Sequence, residues 1–113
     1  MRPRSKQFYD KLGNMIMQHM KNEYSDIKIK KVGSRESDTY KRKSDLDIRF
    51  FFEKGNPDKN TFYPKLVNLL KNKLGRIDGE ILNYDLGTHR NVVRCRPEKG
   101  GKVDLVLVSK KDF

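Results

Sequence analysis

The chain has 113 residues, with 26 Lys and Arg residues against 15 Asp and Glu residues, so its formal charge is +11 at pH 7. This length and a hydrophobic content of 35% allow one small domain with a thin core, and they exclude a large multidomain enzyme. The single cysteine cannot form an internal disulfide, and it makes no zinc-ligand cluster with the two histidines.

The first part of the chain is predicted to form a helix, a strand and a glycine turn. Apolar residues recur at helical spacing over residues 5–24, and Ser5 can cap the start of that helix. Ile and Lys then alternate over residues 27–30, which is typical of a strand. This strand leads into a tight turn at Gly33 and Ser34.

A second strand and a second helix follow after a polar stretch. Apolar and charged residues alternate over residues 44–52, which predicts a strand with one buried face. The leucine spacing over residues 62–74 predicts a helix that Thr61 caps and Gly75 ends. Pro64 is tolerated there because it falls in the first turn of the predicted helix.

The remaining elements are predicted strands. Residues 80–84 and 91–96 form a predicted hairpin, and residues 102–108 form the last strand. No repeat or linker divides the chain. We therefore expect an α+β fold over residues 1–113, with a mixed sheet of about five strands and helices packed on one face.

Three acidic residues lie on predicted strands. Asp45 and Asp47 share one strand face with their Cα atoms about 6.5–7 Å apart, so their carboxylates can converge on hard cations. Asp104 is the one acid on an otherwise apolar strand face, where an unpaired carboxylate would be costly. A metal ion shared by the three acids would remove that cost, whereas the simpler alternative is a solvated strand edge paired with Lys or Arg.

The acids occur in a wider motif. An apolar residue and a Gly-Ser turn precede the acids by ten residues, and an acid follows on a later strand: Val32-Gly33-Ser34, Asp45-Leu46-Asp47-Ile48 and Val103-Asp104-Leu105. This combination resembles the polymerase-β-like nucleotidyltransferase superfamily. The resemblance implies a palm-like fold and a metal-dependent enzyme that transfers a nucleoside monophosphate from a nucleoside triphosphate to a hydroxyl group.

The resemblance also implies a role for each residue of the motif. Asp45 and Asp47 would bind both of two Mg²⁺ or Mn²⁺ ions, and Asp104 would bind the ion nearer the acceptor. Gly33 would let the backbone approach the phosphates, and Ser34 would donate a hydrogen bond to the β- or γ-phosphate of the bound nucleotide. These five residues are the predicted catalytic, metal-binding and nucleotide-binding residues.

The relatives suggested by the motif fall into two groups. The length agrees with minimal nucleotidyltransferases, which are small single-domain proteins with a protein partner. The predicted hairpin over residues 80–96 is more similar to oligoadenylate synthetases, CCA-adding enzymes and poly(A) polymerases. Because those larger enzymes continue into a helical domain, we expect residues 1–113 to be a catalytic domain that lacks this C-terminal domain.

The net positive charge indicates which class of acceptor and partner to expect. A basic surplus favours polyanions such as RNA, DNA or nucleoside triphosphates, although it can also serve solubility alone. Arg94 and Arg96 are predicted to share a strand face beside Tyr84, a pattern that suits single-stranded RNA. An RNA 3′ end is therefore the expected acceptor. The alternatives are a partner protein as acceptor, a requirement for a missing helical subunit, or a non-catalytic module that binds RNA or a partner.

The apolar pattern bears on the compartment. The sequence contains no apolar run of transmembrane length, and its first residues lack the apolar stretch of a signal peptide. We therefore expect a soluble, intracellular protein in the cytoplasm, with no membrane partner.

Overall fold

The computed structural model describes residues 6–32, 46–87, 89 and 91–113. It has two α-helices, six strands and a final 3-10 turn in this part of the chain. In chain order they are α1 (Lys6–Glu23), β1 (Ile27–Val32), β2 (Leu46–Phe52), α2 (Lys59–Lys73), β3 (Arg76–Ile77), β4 (Glu80–Leu86), β5 (Val93–Pro97), β6 (Val103–Leu107) and the 3-10 turn (Lys110–Asp112). Neither α-helix within these ranges is long and apolar enough to cross a membrane.

The strands form one mixed sheet in the order β1-β2-β6-β5-β4-β3. The β2–β6 pair is parallel, and the other neighbouring pairs are antiparallel. The predicted α+β class and mixed sheet are thus confirmed, with six strands where about five were expected.

The additional strand is β3, which pairs with β4 across a two-residue turn. Asp78 and Gly79 form this turn with φ angles of 51° and 81°. Two successive positive φ angles are what a tight hairpin with the native strand twist requires, and Asp-Gly is a sequence typical of it. That dipeptide was the local signal for β3.

The core lies between the helices and one face of the sheet. Along β2 every second side chain is buried, beginning with Leu46. Helix α1 packs on β1 and β2, whereas α2 packs on β4 and β5. Phe62 of α2 is central to the core, with its ring 6.2 Å from that of Phe50 and 5.4 Å from that of Phe52. We call the opposite side of the sheet, which the helices leave uncovered, the open face.

Helix α2 begins three residues before the predicted start. Its N-cap is Asp58, not Thr61, because the Asp58 carbonyl accepts hydrogen bonds from the amides of Thr61 and Phe62 at 3.1 and 2.8 Å. Pro64 therefore lies beyond the first turn. Proline is compatible with this position at the cost of one backbone hydrogen bond, since it has no N–H group. The predicted cap of α1, Ser5, lies outside the described residues.

Candidate active site

Asp47 and Asp104 face each other on the two parallel strands. Asp47 of β2 is the register partner of Asp104 of β6. Each lies between two buried neighbours, so strand alternation turns both acids to the open face, where both are half-buried. Neighbouring strands are about 4.8 Å apart, and this pairing therefore brings two acids that are distant in sequence side by side.

The same line across the sheet carries further charges on its next two strands. Arg94 of β5 is opposite Asp104, and Asp85 of β4 is opposite Arg94. We call these four residues, from Asp47 to Asp85, the charged row. Register partners point to the same side of a sheet, so the whole charged row lies on the open face.

One ion pair lies within the charged row, and a second joins the row to Arg96 of the same strand as Arg94. Arg94 Nε lies 3.4 Å from Asp104 Oδ1, and the exposed fractions of these two side chains are 29% and 21%. Asp85 is paired instead with Arg96, whose Nε lies 3.4 Å from Asp85 Oδ2, and these side chains are 52% and 49% exposed. Solvent screens the second pair more strongly, so Arg94 and Asp104 are the more strongly coupled of the two pairs.

The donor set on the charged row suits a hard divalent cation. Carboxylate oxygens are the ligands that Mg²⁺ and Mn²⁺ prefer, and Asp47 and Asp104 offer them from neighbouring strands. Within the described residues, no group of three acidic, His or Cys side chains could hold a metal ion. The third predicted ligand, Asp45, lies outside the described residues, as do the predicted phosphate-binding residues Gly33 and Ser34.

A basic pair lies next to the charged row on the open face. Lys30 of β1 is opposite Arg49 of β2, two residues along the strand from Asp47. The last residues fold back over this pair: Arg49 Nη1 donates to the Asp112 carbonyl at 3.1 Å, and Lys30 Nζ donates to the Phe113 carbonyl at 3.3 Å. The Cα atom of Arg49 is thus about 7 Å along the strand from that of Asp47, and Lys30 lies beside Arg49 on the next strand.

Tyr84 does not belong to the open face, so the predicted grouping of Tyr84 with Arg94 and Arg96 is wrong. Tyr84 is opposite Cys95, which lies between the two arginines and points into the core. The Tyr84 hydroxyl donates a hydrogen bond to the Leu74 carbonyl at 2.6 Å, and burial raises the pKa of this phenol. The hairpin therefore presents arginines without this aromatic partner.

Sequence reasoning selected Asp47 and Asp104 but missed the link from Asp104 to Arg94. No local pattern contains that link, because it depends on the register between β5 and β6. To find this ion pair from the sequence, one would have to predict that the hairpin pairs with the last strand, and in which register.

Comparison with known protein families identifies a domain that spans most of the chain. The family model described as the nucleotidyltransferase domain matches residues 14–113. This range includes both Asp47 and Asp104. No curated protein matches the chain significantly.

Solved structures that share the fold include the following two. The structure of the GLD-2/RNP-8 complex has a TM-score of 0.62 and 16% sequence identity, and the match covers 90% of this chain and 40% of the other. The Cid1 poly(U) polymerase with Mg and 3′-dATP bound has a TM-score of 0.59 and 15% identity, over 94% of this chain and 32% of the other. The chain thus spans less than half the length of either structural relative.

Proposed function

The chain belongs to the nucleotidyltransferase domain family, and from this membership we propose that it transfers a nucleoside monophosphate from a nucleoside triphosphate to the 3′ hydroxyl of an RNA. The observation that supports catalysis by this chain is the direct pairing of Asp47 with Asp104 on the open face. Residues 1–113 are proposed as one catalytic domain.

The acids have assigned roles in this proposal. Asp47 and Asp104, together with Asp45, hold two Mg²⁺ or Mn²⁺ ions. When bound, such ions supply positive charge that stabilises the attacking and leaving oxygens of an in-line displacement. Of the three acids, Asp104 would bind the ion nearer the acceptor.

The nucleotide side of the site is assigned to the predicted turn at Gly33 and Ser34. Gly33 lets the backbone approach the triphosphate, because it has no side chain to block the contact. Ser34 donates a hydrogen bond to the β- or γ-phosphate.

The RNA acceptor is supported by charge. The chain carries a net charge of +11, and Lys30 and Arg49 place two cations beside the charged row on the open face. Cations next to an acidic site attract the phosphate backbone of a polynucleotide without reading its sequence. One structural relative, Cid1, is a poly(U) polymerase, and that activity is consistent with an RNA acceptor.

The test is a transfer assay with each of the four α-labelled nucleoside triphosphates, Mg²⁺ or Mn²⁺, and a short RNA. The expected result is label on RNA with a free 3′ hydroxyl and none on the same RNA with a blocked 3′ end. Asp47→Asn should abolish the signal. Asp85→Asn is the matched control, because Asp85 lies on the same row but is paired with Arg96 away from the acid pair.

Other outcomes would favour the alternatives. Label on an added or co-purified protein instead of RNA would indicate a protein acceptor. Salt-sensitive RNA binding without transfer, unchanged by Asp47→Asn, would overturn the catalytic proposal and favour a binding module. Transfer that appears only after a helical partner is added would assign nucleotide or acceptor binding to that partner.

A further inference from the structure

Arg94 is the cation closest to the proposed metal-binding acids along the charged row. Its register places it between two carboxylates, those of Asp104 and Asp85. It pairs with Asp104 at 3.4 Å, whereas Asp85 is paired with Arg96. The guanidinium is thus held by one of the acids that the proposed function requires.

The electrostatic consequence follows from the neighbouring acids. Like charges directly opposite each other on adjacent strands destabilise a sheet, and Asp47 faces Asp104 in this way. A guanidinium beside Asp104 offsets part of that repulsion. A divalent cation bound between the same acids would also offset this repulsion. Arg94 and the cation therefore interact with the same negative charge, and each weakens the binding of the other.

The geometry adds an orienting effect. Arg94 contacts Asp104 through Oδ1, and a carboxylate has a second oxygen through which it can bind a cation. Partners of a metal ligand fix its orientation and tune the metal affinity of the site. The Arg94–Asp104 pair is only 29% and 21% exposed, so the coupling is less screened than that of a surface pair.

From these contacts we infer that Arg94 is a positioning residue for Asp104, which orients this carboxylate for transfer and lowers the affinity of the acid pair for divalent cations. This inference rests on the proposed function. Its readout is cation binding, which can be measured without turnover.

The experiment is a titration of the full chain with Mn²⁺ alone, in which electron paramagnetic resonance measures the free ion. The ionic strength is about 0.15 M, so that distant charges are screened. Arg94→Gln should bind Mn²⁺ about 3–10-fold more tightly than the parent, because a positive charge beside the site is removed. It should nevertheless transfer nucleotide about tenfold more slowly, because Asp104 loses its orienting contact with Arg94.

Matched variants separate charge from orientation. Arg94→Lys keeps the charge but loses the planar fork, so its Mn²⁺ affinity should stay within about twofold of the parent while transfer is only partly restored. Arg96→Gln removes an equal charge from the same strand face and should change Mn²⁺ affinity by less than about twofold, because its ion pair is more exposed. If Arg94→Gln does not fold, Arg94→Met is the second uncharged variant and has the same expected affinity.

Two results would overturn this inference and leave the proposed function intact. One is Mn²⁺ affinity in a folded, uncharged Arg94 variant that equals or falls below that of the parent. The other is an equal gain in Arg96→Gln, which would indicate general surface charge. Absence of Mn²⁺ binding by the parent would overturn the proposed metal site and the inference together.

Discussion

Asp47 of β2 and Asp104 of β6 are register partners across the parallel strand pair, on the face of the sheet opposite the helices. This pairing joins a strand from the first half of the chain to its last strand, so the two acids meet only in the folded sheet. The proposed chemistry depends on this pairing.

Replacement of Asp104 should therefore stop transfer without unfolding the chain. We expect Asp104→Asn to lower the single-turnover rate by at least about a hundredfold, by analogy with the loss of other groups that stabilise transition-state charge. Its half-buried position on the open face predicts that the fold persists. Rapid-quench measurement with labelled nucleotide and RNA tests this, with circular dichroism as the folding control. A rate within about threefold of the parent would exclude Asp104 from the site.

Tyr63 connects α2 to the last strand and to a loop through hydrogen bonds of its hydroxyl group. The hydroxyl accepts a hydrogen bond from the Leu107 amide at 3.0 Å and donates one to the Asn91 carbonyl at 3.3 Å. Tyr63→Phe leaves the amide N–H buried without this acceptor, which should lower the free energy of unfolding by about 1–3 kcal/mol. Urea denaturation measures the change.

Tyr24 provides the matched control for the Tyr63 experiment. It packs against the core but is partly exposed, so water can solvate its hydroxyl. Tyr24→Phe should change the free energy of unfolding by less than about 0.5 kcal/mol. Equal losses in the two variants would contradict the proposed importance of the Leu107 hydrogen bond.

The turn between β3 and β4 depends on the backbone of Gly79. Its φ angle is +81°, and a methyl group added there would meet no atom within 4 Å. Gly79→Ala should therefore destabilise the fold through backbone strain alone, by about 1–2 kcal/mol. Gly79→Asn should cost less, because asparagine tolerates the left-handed region better. Urea denaturation of both variants checks this order of stability. A Gly79→Ala variant as stable as the parent would contradict the predicted backbone strain.

The buried thiol of Cys95 makes stability fall at alkaline pH. Burial raises the pKa of Cys95 from its ordinary value of 9.0 to about 12. Between these values the unfolded thiol loses its proton while the folded thiol keeps it, so the folded state binds more protons. The stabilisation is thus fully present below pH 9 and is lost as the pH rises toward 12.

Denaturation from about pH 8 to about pH 11 tests this dependence. The parent should lose stability above about pH 9 with a slope of up to about 1.4 kcal/mol per pH unit. In Cys95→Ala the loss should begin only near pH 10, where the buried phenol of Tyr84, whose pKa is also raised, begins to contribute. Parallel profiles for the two proteins would argue against the thiol as the cause. A thiol reagent should also leave the folded parent unmodified at about pH 8.

Local sequence patterns predicted most of the elements, because helix and strand periodicity depends on neighbours within a few residues. The burial of Leu46, Ile48 and Phe50 on one face of β2 follows directly from their alternation with charged residues. The start of α2 was placed too late because Thr61 and Asp58 are both acceptable caps, and the choice depends on which carbonyl receives the first amides. The short strand β3 has too few residues for a periodic pattern.

The motif of acids and glycine was sufficient to predict the family, and alternation alone turned Asp47 away from the core. The parallel pairing of β2 with β6 and the order of the strands depend on contacts between distant segments, which no local pattern contains. That tertiary register brings Asp104 opposite Asp47 and places Arg94 beside it, and it also sends Tyr84 into the core. Residue chemistry thus specified which groups are available, whereas long-range strand pairing specified which of them meet.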